Sequence, residues 1–269
     1  MFHVHAFNPH PLLRQCVDSY LIVSLDQAEG GFIENTFFPH VTQSLVFGLD
    51  QGNTVYDCIH SEYSALHFIT GPNDEVCKVR LLPGMKKMVI NFKPGGFFKI
   101  FHLPAHCFNN RSQDAERFLG KQVAEIGRQL RETHLSRKIE ITDGWLMEQL
   151  ECQKKTDRNI DKAIQLIEEC KGNISLGKLE QATYTTKRTL ERHFLEQVGL
   201  HPKTFSRLVR FNGVIRFIES NLNVKWRQLA EVFGYYDQSH FIHEFKTFTG
   251  GLPQDYFSLK AGFEKMMQV

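Results

Sequence analysis

The absences in this sequence narrow its function before any motif does. No stretch approaches the roughly 18 consecutive apolar residues that a membrane helix requires. The segment Met1-Phe2-His3-Val4-His5 has no basic head followed by an apolar run. A soluble, cytoplasmic protein with no membrane partner is therefore expected. The six cysteines (Cys16, Cys58, Cys77, Cys107, Cys152 and Cys170) lie far apart, with no Cys-x-x-Cys. That spacing suggests neither a disulfide framework nor a structural zinc site, and fits a reducing compartment. Gly-x-Ser-x-Gly, a phosphate loop and a dinucleotide fingerprint are also missing. Gly95-Gly96 after Pro94 reads as a turn rather than a phosphate cradle. No catalytic residue and no cofactor are expected. An excess of one charge is lacking too: the formal net charge is +2, which by itself says nothing about nucleic acid.

What is present is an ordinary globular composition, 42% hydrophobic and 23% charged over 269 residues, long enough for two domains with real cores. The charge is unevenly placed. From residue 157 onward sixteen Lys and Arg face thirteen Asp and Glu, and between Lys178 and Arg216 eight basic residues face three acidic ones. A local basic excess is what phosphate neutralisation needs.

Residues 1 to about 100 read as β-rich. Short apolar runs (20–25, 43–49, 65–70, 76–82 and 88–92) are punctuated by turn formers such as Gly30-Gly31, Gly71-Pro72, Pro83-Gly84 and Pro94-Gly95-Gly96. The expected fold is α+β: a β-rich, cupin-like barrel or sandwich with trailing helices from about 111, then an all-helical domain. The polar, aperiodic stretch from Cys152 to Arg158 places the boundary, giving a sensor or dimerisation domain over 1–152 and a helical domain over 157–260.

Within the helical domain the same plan occurs twice, at about 174–199 and 226–250. Ser175 is positioned to N-cap a short helix carrying Leu176 and Leu179, and Thr186 to N-cap the next, held inward by Leu190, Phe194 and Val198 and ended by Gly199. Pro202 opens a long connecting helix through Leu208, Phe211, Ile215 and Ile218. The second copy places Leu229 and Val232 inward, Gly234 at the turn, and Phe241 and Phe245 inward. A short helix, a tight turn and a second helix with a polar leading edge form the unit that enters a DNA major groove.

Thr186-Lys187-Arg188-Thr189-Leu190-Glu191-Arg192-His193-Phe194, Gly199-Leu200-His201-Pro202, Gly234-Tyr235, Asp237-Gln238-Ser239-His240-Phe241, Phe245-Lys246 and Pro253-Gln254-Asp255-Tyr256 stand in order over about 100 residues. In these features the chain resembles the DNA-binding domain of the AraC/XylS family of transcription regulators. The first half resembles, more loosely, the cupin-like sensing domains attached to such regulators. The resemblance implies a sequence-specific regulator of double-stranded DNA, reading two successive major-groove segments under control of a small-molecule effector or partner at the N-terminal domain, with homodimerisation open.

Within that frame Arg188, Glu191 and Arg192 are candidates for base readout in the first unit, and Gln238, Ser239 and His243 in the second. Arg can donate twice to guanine, Glu accept from cytosine and Gln pair with adenine. Phosphate contacts, which position without specifying, fall to Thr186, Lys187, Lys203, Arg207, His240 and Lys246. His243 stands where the family often has Arg, which leaves the second unit less basic. Arg210 is read as a structural ion-pair partner. The rival reading is a cupin-type metal enzyme fused to a DNA-targeting module, drawing on His3, His5, His10, His40, His60, His67 and the His102–Cys107 cluster. His3-x-His5 lacks the close Glu of the cupin pattern, so no metal site is expected.

Overall fold

The computed structural model describes residues 1–28, 30–151, 158–221 and 225–256. Residues 152–157 of the expected boundary, and 257–260 of the expected helical domain, lie outside them.

Ten strands are described: β1 (Phe2–Phe7), β2 (Val17–Leu25), β3 (Ile33–Phe37), β4 (Gln43–Gly48), β5 (Val55–Asp57), β6 (Glu62–Tyr63), β7 (Phe68–Thr70), β8 (Cys77–Leu81), β9 (Met85–Phe92) and β10 (Ser112–Asp114). They form two antiparallel sheets, ordered β1-β2-β9-β4-β7-β10 and β3-β8-β5-β6. The sheets do not close into a barrel. Five of these strands, β1, β3, β5, β6 and β10, fall outside the apolar runs read from the sequence. β1 runs through the His3-x-His5 segment, expected to precede the first strand, and β3 carries no apolar run. β10 lies in the stretch read as helical from 111, where its pairing with β7 overrides local propensity.

The larger sheet separates two environments because side chains alternate along a strand. Leu45, Phe47, Met88, Ile90 and Phe92 face the helices and form one buried core with Phe97, Val123, Leu130, Trp145 and Leu146. Those residues come from α1 (Gly96–Phe101), α3 (Gln122–Glu132) and α4 (Leu135–Glu151), with α2 (Ala115–Leu119) between. Trp145 meets Phe47 edge-on, centroids 5.8 Å apart. Ser44, Val46, Lys87, Val89 and Asn91 face the other way, into a cavity of about 540 Å³ shared with the smaller sheet.

The C-terminal region comprises α5 (Arg158–Glu169), α6 (Leu176–Thr183), α7 (Lys187–Val198), α8 (Pro202–Ser220), α9 (Trp226–Val232) and α10 (Gln238–Thr249). Ser175 caps α6 by accepting from the Lys178 N–H, Thr186 caps α7 through Thr189, and Asp237 caps α10 through His240. Gly199 and Gly250 end α7 and α10 in left-handed conformation, the conformation glycine adopts without a Cβ penalty. One inward assignment fails: Val232 is 57% exposed, and Phe233, at 6%, fills the core instead. α9 ends at Val232, so the turn rather than the helical period sets which residue points inward.

Candidate nucleic-acid interface

α8 anchors both recognition helices. Phe205 on α8 packs against Phe194 of α7 (5.2 Å), and Phe211, two turns further along, packs against Phe245 of α10 (5.8 Å). All four rings are at most 1% exposed and belong to one core running from Ile160 to Tyr256. Each such buried side chain contributes about 2–3 kcal/mol, so neither α7 nor α10 is loosely hung.

A polar clamp adds direction to this packing. Glu244 of α10, 3% exposed, accepts from Arg207 Nε at 2.8 Å and from Arg210 Nη2 at 2.8 Å. Arg210 also donates to Asn173 Oδ1 and lies over the Tyr235 ring, and Asn173 Nδ2 donates to the Phe233 carbonyl (2.9 Å). The start of the first unit, the connecting helix and the turn of the second unit are therefore tied together. Burial alone would raise the Glu244 carboxyl; hydrogen bonds and charge from the two arginines outweigh it and hold the group below its ordinary value. Arg210 has the structural role read for it. Glu244 escapes sequence reading; its only signal is an acidic residue on the inward face of an otherwise apolar stripe.

The candidate contacts fall as follows. Thr186, Lys187, Arg188 and Arg192 are exposed on α7 with Glu191 half-buried beside them, and Lys203 is exposed at the start of α8. Arg192 Nη2 meets His193 Nε2 at 3.0 Å. Gln238, Ser239, His240, His243 and Lys246 are exposed on α10. His240 Nδ1 also accepts from the Tyr236 N–H at the turn (3.4 Å). Arg207 is engaged with Glu244 and with the Phe248 ring rather than standing free.

The metal candidates are scattered. His3 pairs with Asp26 (3.3 Å), His10 caps the turn at Pro11, His60 pairs with Asp57 (2.8 Å), and His67 Nδ1 accepts from the Gly48 N–H (3.1 Å). His102 stacks on Phe98. Among the described residues no three or more His, Cys, Asp or Glu come together as a ligand set. Nor is any described helix long and apolar enough to cross a membrane.

The first unit also touches the β-rich half. α7 packs against α1 and the turn Ala105–Phe108, and Asn109 Nδ2 donates to the Gly199 carbonyl at 2.5 Å. Lys99 pairs with Asp161 (2.7 Å), and Phe38 packs on Tyr256 (5.7 Å).

Two recognition helices with exposed polar faces, seated on one shared helix, define a double helix-turn-helix DNA-binding module. In comparison with known families, residues 179–258 match a family described as a helix-turn-helix domain, and residues 5–114 one described as a domain of unknown function (DUF6597). The chain is a DNA-binding transcription regulator whose C-terminal domain is of the AraC type. No curated protein matches it. Similar solved structures include ToxT from Vibrio cholerae, 12% identical over 97% of this chain and 98% of that one, with a TM-score of 0.46. ToxT of strain SCE256 bound to an unsaturated fatty acid is 13% identical over 97% and 96%, with a TM-score of 0.43. The AraC-like transcriptional activator CuxR is 10% identical over 98% and 86%, with a TM-score of 0.21.

Proposed function

We propose that this regulator, working in the cytoplasm and without enzymatic activity, reads two successive major-groove segments on one face of double-stranded DNA. The unit is residues 157–260, the sensor residues 1–152. Arg188, Glu191 and Arg192 read bases in the first segment, and Gln238, Ser239 and His243 in the second. Thr186, Lys187, Lys203, His240 and Lys246 bind phosphate, joined by Arg207 once DNA competes with Glu244 for its guanidinium. The observation that carries this reading is the seating of α7 on the first turn of α8 and of α10 on its middle, through one core. A rigid spacing is what matching two grooves about 34 Å apart demands.

An effector in the cavity between the sheets controls that binding. Supporting this, the segment 38–42 faces two ways: His40 and Thr42 line the cavity, while Phe38 and Val41 pack against the DNA-binding core. Asn73, bridged to His40 through the backbone, also lines the cavity, and Gly199 at the end of α7 lies against the neighbouring Pro72. A ligand that shifts these residues changes which arrangement of α7 is populated. Homodimerisation belongs to the same proposal.

Selection from randomised duplexes tests the DNA reading. The expected product is a bipartite site with elements one helical turn apart; Arg192→Ala relaxes one element and Gln238→Ala the other, each losing about 1–3 kcal/mol of discrimination. A single undivided element, or full selectivity in both variants, would overturn it.

A further inference from the structure

We propose that the cavity takes an uncharged amphiphile, an apolar body with a neutral hydroxyl or carbonyl head, seated head-first against the row of polar side chains that crosses the larger sheet at Ser44. The inference rests on reading the cavity as the effector site, and names the ligand chemistry of that site.

The larger sheet lays out its cavity wall in rows. Strand register aligns Ser112 with Thr70, Thr70 with Ser44 and Ser44 with Asn91, giving one line of hydroxyls and an amide across β10, β7, β4 and β9. The next cavity-facing row, Phe68, Val46, Val89 and Leu21, is wholly apolar. Val23 and Val4 continue that surface beyond it. On the opposite wall Asn35 shares a row with Val79 and Asp57, between Phe37 and Cys77 on one side and Leu81 and Val55 on the other. The larger sheet's wall is thus amphipathic along its length, with a polar end and a longer apolar end.

The polar end has spare hydrogen-bonding capacity. Among the described residues, the Asn35 and Asn73 amides, 4% and 8% exposed, and the half-buried Thr70 hydroxyl line the cavity without a side-chain partner. Polar groups on a cavity wall that no protein group engages are open to a ligand's polar atoms. His40 adds a ring whose Nδ1 also has no partner, and burial lowers its pKa to about 4, so it is neutral.

Of the charged groups that line the cavity, Lys87 and Asp57 are already engaged, and Arg111 stands exposed at its edge. Lys87 is paired with Asp50 at 2.9 Å, their side chains 4% and 6% exposed, and it lies four residues along β9 from Asn91, about 13 Å from the polar row. The Asp57 carboxylate accepts from the Ile59 and His60 N–H groups and from His60 Nδ1. Arg111 is exposed at the rim, where its guanidinium donates to the Gln113 side-chain carbonyl at 2.6 Å. A carboxylate head seated among these neutral groups would have only the solvent-exposed Arg111 as an uncommitted cation, and a buried charge without a close partner is far costlier than a hydrogen-bonded neutral group.

The test uses the full chain with three eight-carbon probes: octan-1-ol, octan-2-one and sodium octanoate at pH 8. Thermal shift and calorimetric titration should show dose-dependent stabilisation by the alcohol and the ketone, with octanoate weaker by at least ~10-fold. The variant Thr70→Val, near-isosteric at a hydroxyl with no side-chain partner, should weaken octanol about tenfold while melting close to the parent without ligand. Tighter binding of octanoate than octanol would overturn the neutral class and leave the effector reading standing. Undiminished octanol binding in Thr70→Val would overturn the head placement. If none of the probes binds, and cavity-filling Val46→Phe leaves DNA affinity unmoved, both the inference and the effector reading fail together.

Discussion

Replacing Glu244 by Gln removes the charge at the centre of the clamp while preserving its size. The parent carboxylate, nearly fully buried, receives two hydrogen-bonded guanidinium groups, one of them only 12% exposed. Removing one partner of a buried pair costs roughly 3–5 kcal/mol. Arg207 is 36% exposed, so water recovers some of its share, and the expected loss is about 2–3 kcal/mol. For a domain near 100 residues this lowers the melting temperature by about 10 °C or more, read by far-UV circular dichroism of the full chain. The pH dependence carries a second signature. The folded-state carboxyl is held below its ordinary value, so its stabilisation is fully present above the unfolded-state pKa of 4.5. It is lost as pH falls through the depressed folded value. The gap between parent and variant should therefore be constant from pH 6 to 8 and close in acid below about 4. A variant melting within about 1 °C of the parent at pH 7 would refute the clamp as a stabilising device.

Gly213→Ala should destabilise despite the ~1 kcal/mol gain in helix propensity. An added Cβ lies 2.8 Å from the Phe233 ring, and overpacking of that kind costs about 1–3 kcal/mol; a raised melting temperature would contradict the packing. His67 Nδ1 is a hydrogen-bond acceptor, and burial, with the positive charge of Arg131 and Lys87, lowers its pKa to about 4. Its contribution, with that of His40, is present above about 6.5 and lost as pH falls towards 4, so the melting temperature should drop between pH 7 and pH 5, less so in His67→Gln. Lys187→Ala should weaken binding evenly across DNA sequences and reduce the slope of log affinity against log salt by about one; a changed sequence preference would move Lys187 into base readout.

Local rules carry far in the helical half. Ser175, Thr186, Asp237, Gly199 and Pro202 each do one thing at a helix end, and each stands at the end its residue type favours. Exposure of Arg188, Arg192, Gln238 and His243 follows from the same periodicity that buries Leu190, Phe194, Phe241 and Phe245. Val232 breaks the pattern because the period does not extend past the point where α9 gives way to its turn. The β-rich half is less legible. β1, β3 and β10 exist through pairing with distant partners, and no local run of residues announces a partner.

By itself, the sequence determined the two helix-turn-helix units, their caps and the polar faces they present. Each depends on residues within a turn or two of one another. Only the tertiary structure decided that Glu244 joins two arginines more than thirty positions away, that Phe38 and His40 look into different domains, and that Ser112, Thr70, Ser44 and Asn91 align as one row. Those facts arise from strand register and helix packing, which bring together residues that no spacing along the chain relates.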